Sequence, residues 1–121
     1  MRRLGQLEQK VMDALWEAPE ESMSGREVAD RLSDRAYTTV LTVLERLRRK
    51  EFVRRTTQGR VHYFQAAGTR EAYVAEIMVD AMGGAGNRNL VLARFAESVS
   101  PEEARLLSRA LQAAAEARDR S

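Results

Sequence analysis

The sequence predicts a mainly α-helical protein with one small β-hairpin. It divides into an N-terminal unit, residues 1–67, and a C-terminal helical unit, residues 68–121. Three observations predict this. Apolar residues recur at spacings of three and four along most of the chain, the period of an amphipathic helix. Between Phe52 and Gln65 that period gives way to β-branched and aromatic residues around a glycine-bearing turn. The length of 121 residues suits one domain, or one domain with a small appendage.

Leu4, Leu7, Val11, Ala14 and Leu15 form the first stripe, extended by Met12 and Trp16, and predict a helix over Gln6–Glu17 that ends before Pro19 and Glu20–Glu21. Met23 suits a very short strand. Ser24 with Glu27 three residues on is a capping box, in which hydroxyl and carboxylate satisfy each other's backbone amides. It opens a second helix, Gly25–Ser33, with Val28, Ala29 and Leu32 inward. A turn at Asp34–Arg35–Ala36 leads to a third helix, Tyr37–Lys50, with Val40, Val43, Leu44 and Leu47 as its apolar side. Phe52–Thr57 and Val61–Gln65 read as strands joined through Gln58–Gly59–Arg60. Two strands alone are marginal in water, so the hairpin must lean on the helices. Thr69 caps a helix to about Met82, and Gly83–Gly84–Ala85–Gly86–Asn87 breaks the chain. Leu90–Ser98 is a short apolar helix. Ser100–Pro101–Glu102–Glu103 opens a last helix to about Arg118 that buries Ala104, Leu107 and Leu111.

Three helices followed by a hairpin is the order of a winged helix-turn-helix. In that arrangement the third helix enters the DNA major groove and the hairpin reaches adjacent phosphates. Charge distribution agrees. The net formal charge is only +2, but residues 46–60 hold Arg46, Arg48, Arg49, Lys50, Arg54, Arg55 and Arg60 against Glu51 alone, +6 in fifteen residues. A block of that density is a solvated face or a polyanion footprint. The DNA-binding candidates are Tyr37, Thr38, Thr39, Thr42, Arg46 and Arg49 on the third helix, with Arg54 and Arg60 on the wing. Threonine offers a hydroxyl to phosphates or base edges and a methyl to thymine; arginine bridges guanine or neutralises phosphate. Blander readings stand beside these. Thr38 and Thr39 are also placed to cap their helix, and Arg46 to pair with Glu45 or Glu51. Leu41, near the outer face, either meets a thymine methyl or packs on the neighbouring helix. His62 is an ordinary strand residue.

The C-terminal helices carry apolar stripes too long for one hairpin to cover. Tyr73, Ile77, Met78, Leu90, Phe95, Leu107 and Leu111 are therefore assigned to a homodimer surface, where burial returns about 25 cal/mol per Å² of apolar area. Packing back onto the winged unit is the alternative. Two joined winged units also suit a palindromic site. Zero cysteines excludes disulfides, a thiolate zinc site and a thiol switch, and one histidine argues against a histidine-built metal centre. No nucleophile–base pair or phosphate-cradling loop is evident, and the Gly83–Gly86 stretch follows no strand, so an enzyme is not expected. Neither is a cofactor. With no apolar run near the ~20 residues of a membrane span and no secretory h-region, the expectation is a cytoplasmic protein without membrane insertion. A winged module that binds protein instead of nucleic acid is the competing function.

The stretches LGQLEQKVMDALWE (4–17), AYTTVLTVLERLRRKEFV (36–53), GRVHYFQA (59–66) and LVLARFAESVSPEEARLLSRAL (90–111) resemble the penicillinase-repressor family of winged-helix regulators, above all its actinobacterial members. The likeness covers nearly the whole chain. It implies a homodimeric repressor of a palindromic operator with a TACA/TGTA-type core, controlling β-lactam-response or cell-envelope and respiration genes. It places the recognition helix from Tyr37, with Thr38, Thr39, Thr42 and Arg46 at the DNA. It also implies a membrane sensor-protease that inactivates the dimer. The bond commonly cleaved in the family is Asn-Phe, and the matching dipeptide here is Arg94–Phe95. The copper branch relies on paired cysteines near the C-terminus, which this chain lacks.

Overall fold

The computed structural model describes residues 3–33 and 35–121, so Asp34 of the expected turn lies outside the described residues. The elements run α1 (Gln6–Trp16), β1 (Met23–Ser24), α2 (Gly25–Arg31), α3 (Tyr37–Arg49), β2 (Val53–Gln58), β3 (Val61–Ala66), α4 (Arg70–Gly83), α5 (Arg88–Ser98) and α6 (Pro101–Asp119). Local chemistry sets most of these boundaries. Ser24 Oγ accepts from the Glu27 amide at 3.2 Å while Glu27 accepts from the Ser24 amide at 3.1 Å. Ser100 and Glu103 repeat the box at 3.0 Å in both directions. α5 starts two residues earlier than its apolar pattern indicates, because Asn87 caps it by accepting from the Leu90 amide at 3.1 Å. The sequence pattern alone places that asparagine in the glycine break.

The hairpin does not stand alone. β1 joins it in a three-stranded antiparallel sheet of order β1-β3-β2, pairing Met23 with Phe64, while Val53 pairs with Ala66 and Gln58 with Val61. Met23, Val53, Phe64 and Ala66 are buried on the sheet face that meets the helices. From Arg54 to His62 every residue is exposed, so the tip projects as a wing. The connection is two residues long, and Gly59 adopts φ +62° at its first position, a conformation glycine takes without a Cβ clash.

Val11, Met12, Leu15, Val28, Val40 and Leu47 are fully buried with Leu44 and Phe64 in one core. The end of α3 locks into it. The Phe52 amide donates to Leu47 O at 2.9 Å and the Glu51 amide to Arg48 O at 3.0 Å. These bonds, with Glu51 left-handed at φ +68°, form a Schellman motif. Phe52 is thereby turned into the core, immediately before β2. Glu8, 5% exposed, ties this same end of α3 to α1. Its Oε1 accepts from the Gly5 amide at 2.8 Å and from Lys50 Nζ at 3.0 Å. Oε2 lies 2.9 Å from the same ammonium as an ionic contact without a hydrogen bond of its own. Burial pushes this carboxyl upward, but the Gly5 amide and the Lys50 ammonium outweigh it, with Arg46 adding at longer range, and the net shift is downward.

The chain divides into two compact units, Met1–Asp80 and Ala81–Ser121, so the first α4 turns belong with the winged unit. Tyr73 is the reason. It is buried in that core, with Trp16 and Phe52 rings each 5.5 Å away by centroid, and its hydroxyl accepts from the Leu4 amide at 2.9 Å. Tyr73, expected on a surface between two copies, is therefore a core residue, and Ile77 packs half-buried against the same cluster. In the second unit neither α5 nor α6 has a buried residue. Leu107 and Leu111, expected to be buried, are 38% and 61% exposed in the single chain. Among the described residues no helix is long and apolar enough to cross a membrane.

Candidate nucleic-acid interface

With Val40, Val43, Leu44 and Leu47 buried, α3 turns Thr38, Thr39, Thr42, Arg46 and Arg49 to solvent. The cap of α3 is Ala36, which has no side-chain acceptor, so neither Thr38 nor Thr39 serves as the cap. Thr42 is partly engaged: its hydroxyl donates to Thr38 O at 3.0 Å, leaving its lone pairs and methyl outward. Tyr37 flanks this face, with the Arg26 guanidinium 4.3 Å from its ring centroid, a cation–π contact.

The cationic block is sorted by its ion pairs. Glu45 receives Arg48 at 3.0 Å and is also bound by Arg55 of β2. The Arg48 hydrogen bonds, with both guanidinium charges, hold the Glu45 carboxyl below its ordinary value against a smaller upward push from burial. Lys50 is held by Glu8. Arg46, Arg49, Arg54 and Arg60 are exposed and make no ion pair among the described residues. Among the described residues Arg46 pairs with neither Glu45 nor Glu51; Glu45 holds Arg48 and Arg55 instead. Among the described residues, these four unpaired guanidiniums lie on α3 and the wing, and all four are among those the sequence nominates.

Leu41, half-buried, packs on the neighbouring helix. A Cβ at Gly25 would lie 2.4 Å from Leu41 Cδ2 and 3.3 Å from Tyr37 Cε1. Glycine at the first position of α2 is what lets α3 approach so closely. Beside this contact a groove of about 380 Å³ runs between α2, α3 and the wing, with Arg26 and Arg60 among its lining residues. Arg26 was missed by sequence reasoning. It sits outside the cationic block, and only the packing of α2 against α3 brings it to Tyr37. The Glu45–Arg55 pair was missed for the same reason: ten residues and a change of secondary structure separate its members.

Outside the winged face, Met78 on α4 is 51% exposed, and Leu90 and Phe95 on α5 are exposed. Arg94 and Phe95 lie inside α5, where the Phe95 carbonyl is helical and accepts from Ser98 Oγ at 2.7 Å.

Three helices, a bridging strand and a projecting cationic hairpin define a protein of the winged-helix class. Solved structures share that fold. A MarR family protein from Bacillus stearothermophilus superposes with TM-score 0.51 at 19% identity, covering 98% of this chain and 77% of that one. The YusO protein from Bacillus subtilis gives 0.50 at 23%, covering 95% and 75%. By sequence the chain is 43% identical over 117 residues to the transcriptional regulator BlaI of Mycobacterium tuberculosis, spanning 92% of this chain and 84% of that protein. The family described as Penicillinase repressor matches residues 4–113. The chain belongs to the penicillinase repressor family, whose members are transcriptional regulators and not enzymes.

Proposed function

We propose that the protein is a homodimeric, cytoplasmic repressor that binds a palindromic operator with a TACA/TGTA-type core through α3 and the wing. The observation that carries this reading is the threonine-lined outer face of α3 with Arg46, Arg49, Arg54 and Arg60 unpaired around it. An α-helix fits the major groove, threonines and arginines read base edges there, and wing arginines take phosphates. Four free cations correspond to a slope of log K on log salt of about −3 to −4 per winged unit.

The second copy is argued from the C-terminal unit. A segment in which α5 and α6 bury no residue has no core of its own, yet it exposes Leu90, Leu92, Phe95, Leu106, Leu107 and Leu111. Self-association removes those side chains from water and joins two weak half-site contacts into one tight one. On α4, Met78 is exposed and Ile77 half-buried, and both are assigned to the same association. The regulated genes are those of the β-lactam or cell-envelope and respiration response, and a membrane sensor-protease relieves repression at Arg94–Phe95. Proteases take extended substrates, so cleavage there requires α5 to unwind, which its lack of buried residues makes inexpensive.

A salt titration on duplex selected from a random pool tests the DNA reading. A slope near zero, or equal affinity for every duplex, overturns it. Arg46→Ala weakening selected and random duplex alike makes Arg46 a phosphate contact; a loss confined to the selected site makes it a base reader.

A further inference from the structure

We infer that Glu45 is a specificity-determining residue: a clasp between recognition helix and wing that withholds two guanidiniums from DNA. The inference rests on the DNA-binding reading above.

One carboxylate collects arginines from two elements. Arg48, one turn on in α3, places Nε and Nη2 each 3.0 Å from Oε2, and Arg55 reaches Oε1 from β2. Register puts Arg55 opposite Phe64, on the sheet face that looks toward the helices, so its guanidinium is delivered to α3 and not to the far side of the wing. The three side chains are 30–39% exposed. Such partly solvated pairs add little to stability. Their consequence is for charge beside a polyanion. Glu45 lies three residues from Thr42 and four from Arg49, within the ~10 Å Debye length at 0.1 M salt of the exposed face. An acid at that point is unfavourable for binding phosphate in general, and it removes two cations that would bind any sequence.

Two outcomes are thereby separated. Sequence-independent attraction is left to Arg46, Arg49, Arg54 and Arg60, and the clasp fixes the wing strand against α3, so both reach the duplex in one register. Specificity is the ratio of operator to random affinity, and Glu45 raises it by lowering the denominator while holding the geometry of the numerator.

The test is E45Q in the full-length protein, with thermal unfolding as a fold control. Binding is measured against a random-sequence 30-bp duplex and a duplex selected by the wild-type protein from a random pool. On random duplex, E45Q is expected to bind about tenfold or more tightly at low salt, with a salt slope steeper by about 1 to 2, the release of one or two phosphate-binding cations. The selected duplex gains less, so the ratio narrows. The triple variant E45Q/R48Q/R55Q is expected to return the random-duplex slope to the wild-type value or below. An unchanged slope in E45Q, equal gains on both duplexes, or a triple variant that keeps the steep slope each overturns the role of Glu45. A wild-type protein with neither slope nor sequence preference overturns the DNA reading itself and takes this inference with it.

Discussion

Replacing Tyr73 separates the winged core from the surface between copies. Its ring is 7% exposed and packs between Trp16 and Phe52, with the hydroxyl on the Leu4 amide. A buried aromatic removes about 150–250 Å² from water, and truncation to alanine leaves a cavity, so Tyr73→Ala costs about 3–5 kcal/mol. Tyr73→Phe keeps the ring and loses only the hydroxyl acceptor, about 1 kcal/mol. The assay is urea unfolding followed through Trp16, the single tryptophan of the chain, which lies beside the altered ring. At a slope of about 1–3 kcal/mol per molar urea, alanine lowers the midpoint by at least about 1 M and phenylalanine by a fraction of that. Sedimentation of Tyr73→Phe is unchanged. An alanine variant that keeps its midpoint but loses self-association refutes the core assignment and restores Tyr73 to the dimer surface.

Four further expectations follow from the same geometry. Glu8 has a depressed carboxyl, so the unfolded chain binds its proton more tightly; stability is full above the ordinary carboxylate value and falls as acid protonates the folded state, and Glu8→Gln flattens that stretch of a urea-midpoint profile against pH. Glu51→Gly relieves a left-handed non-glycine residue and raises stability by about 1 kcal/mol in the same urea assay, a loss being the contrary result. Gly25→Ala drives a Cβ into Leu41 and the Tyr37 ring, costing about 1–3 kcal/mol and weakening duplex binding; unchanged binding and stability show that the start of α3 is not held by this contact. Leu107→Glu with Leu111→Glu is expected to yield a single-copy species in sedimentation with the Trp16 midpoint retained, and an unaltered dimer removes α6 from the proposed interface.

The four unpaired arginines and the clasp belong to one electrostatic arrangement. A +6 segment against DNA is attractive to any duplex, and discrimination needs that attraction held down while base contacts remain. Glu45 and Glu8 each neutralise cations of this segment, Glu45 from α3 by pairing with Arg48 along the helix and Arg55 on β2, Glu8 from α1 by capturing Lys50. The charge presented is smaller than composition indicates, and it is concentrated on Arg46, Arg49, Arg54 and Arg60.

Local rules carried most of the architecture. The period of three and four placed α1, α3, α4 and α6, the capping boxes at Ser24 and Ser100 set two starts, and Gly59 marked the wing turn, because each of these is decided by residues within one turn of each other. The nominated α3 face emerged for the same reason: once Val40, Val43, Leu44 and Leu47 point inward, helical geometry leaves Thr38, Thr42, Arg46 and Arg49 outward. Only the tertiary structure decided where Tyr73 goes, since an apolar stripe on α4 does not say which neighbour covers it, and Trp16 and Phe52 come to it from far along the chain. The same holds for Leu41 against Gly25, Arg26 over Tyr37, Lys50 on Glu8, and Arg55 on Glu45. Periodicity orients a side chain about its own helix axis; which partner it meets depends on how separate elements are set side by side, and that is a property of the packed core.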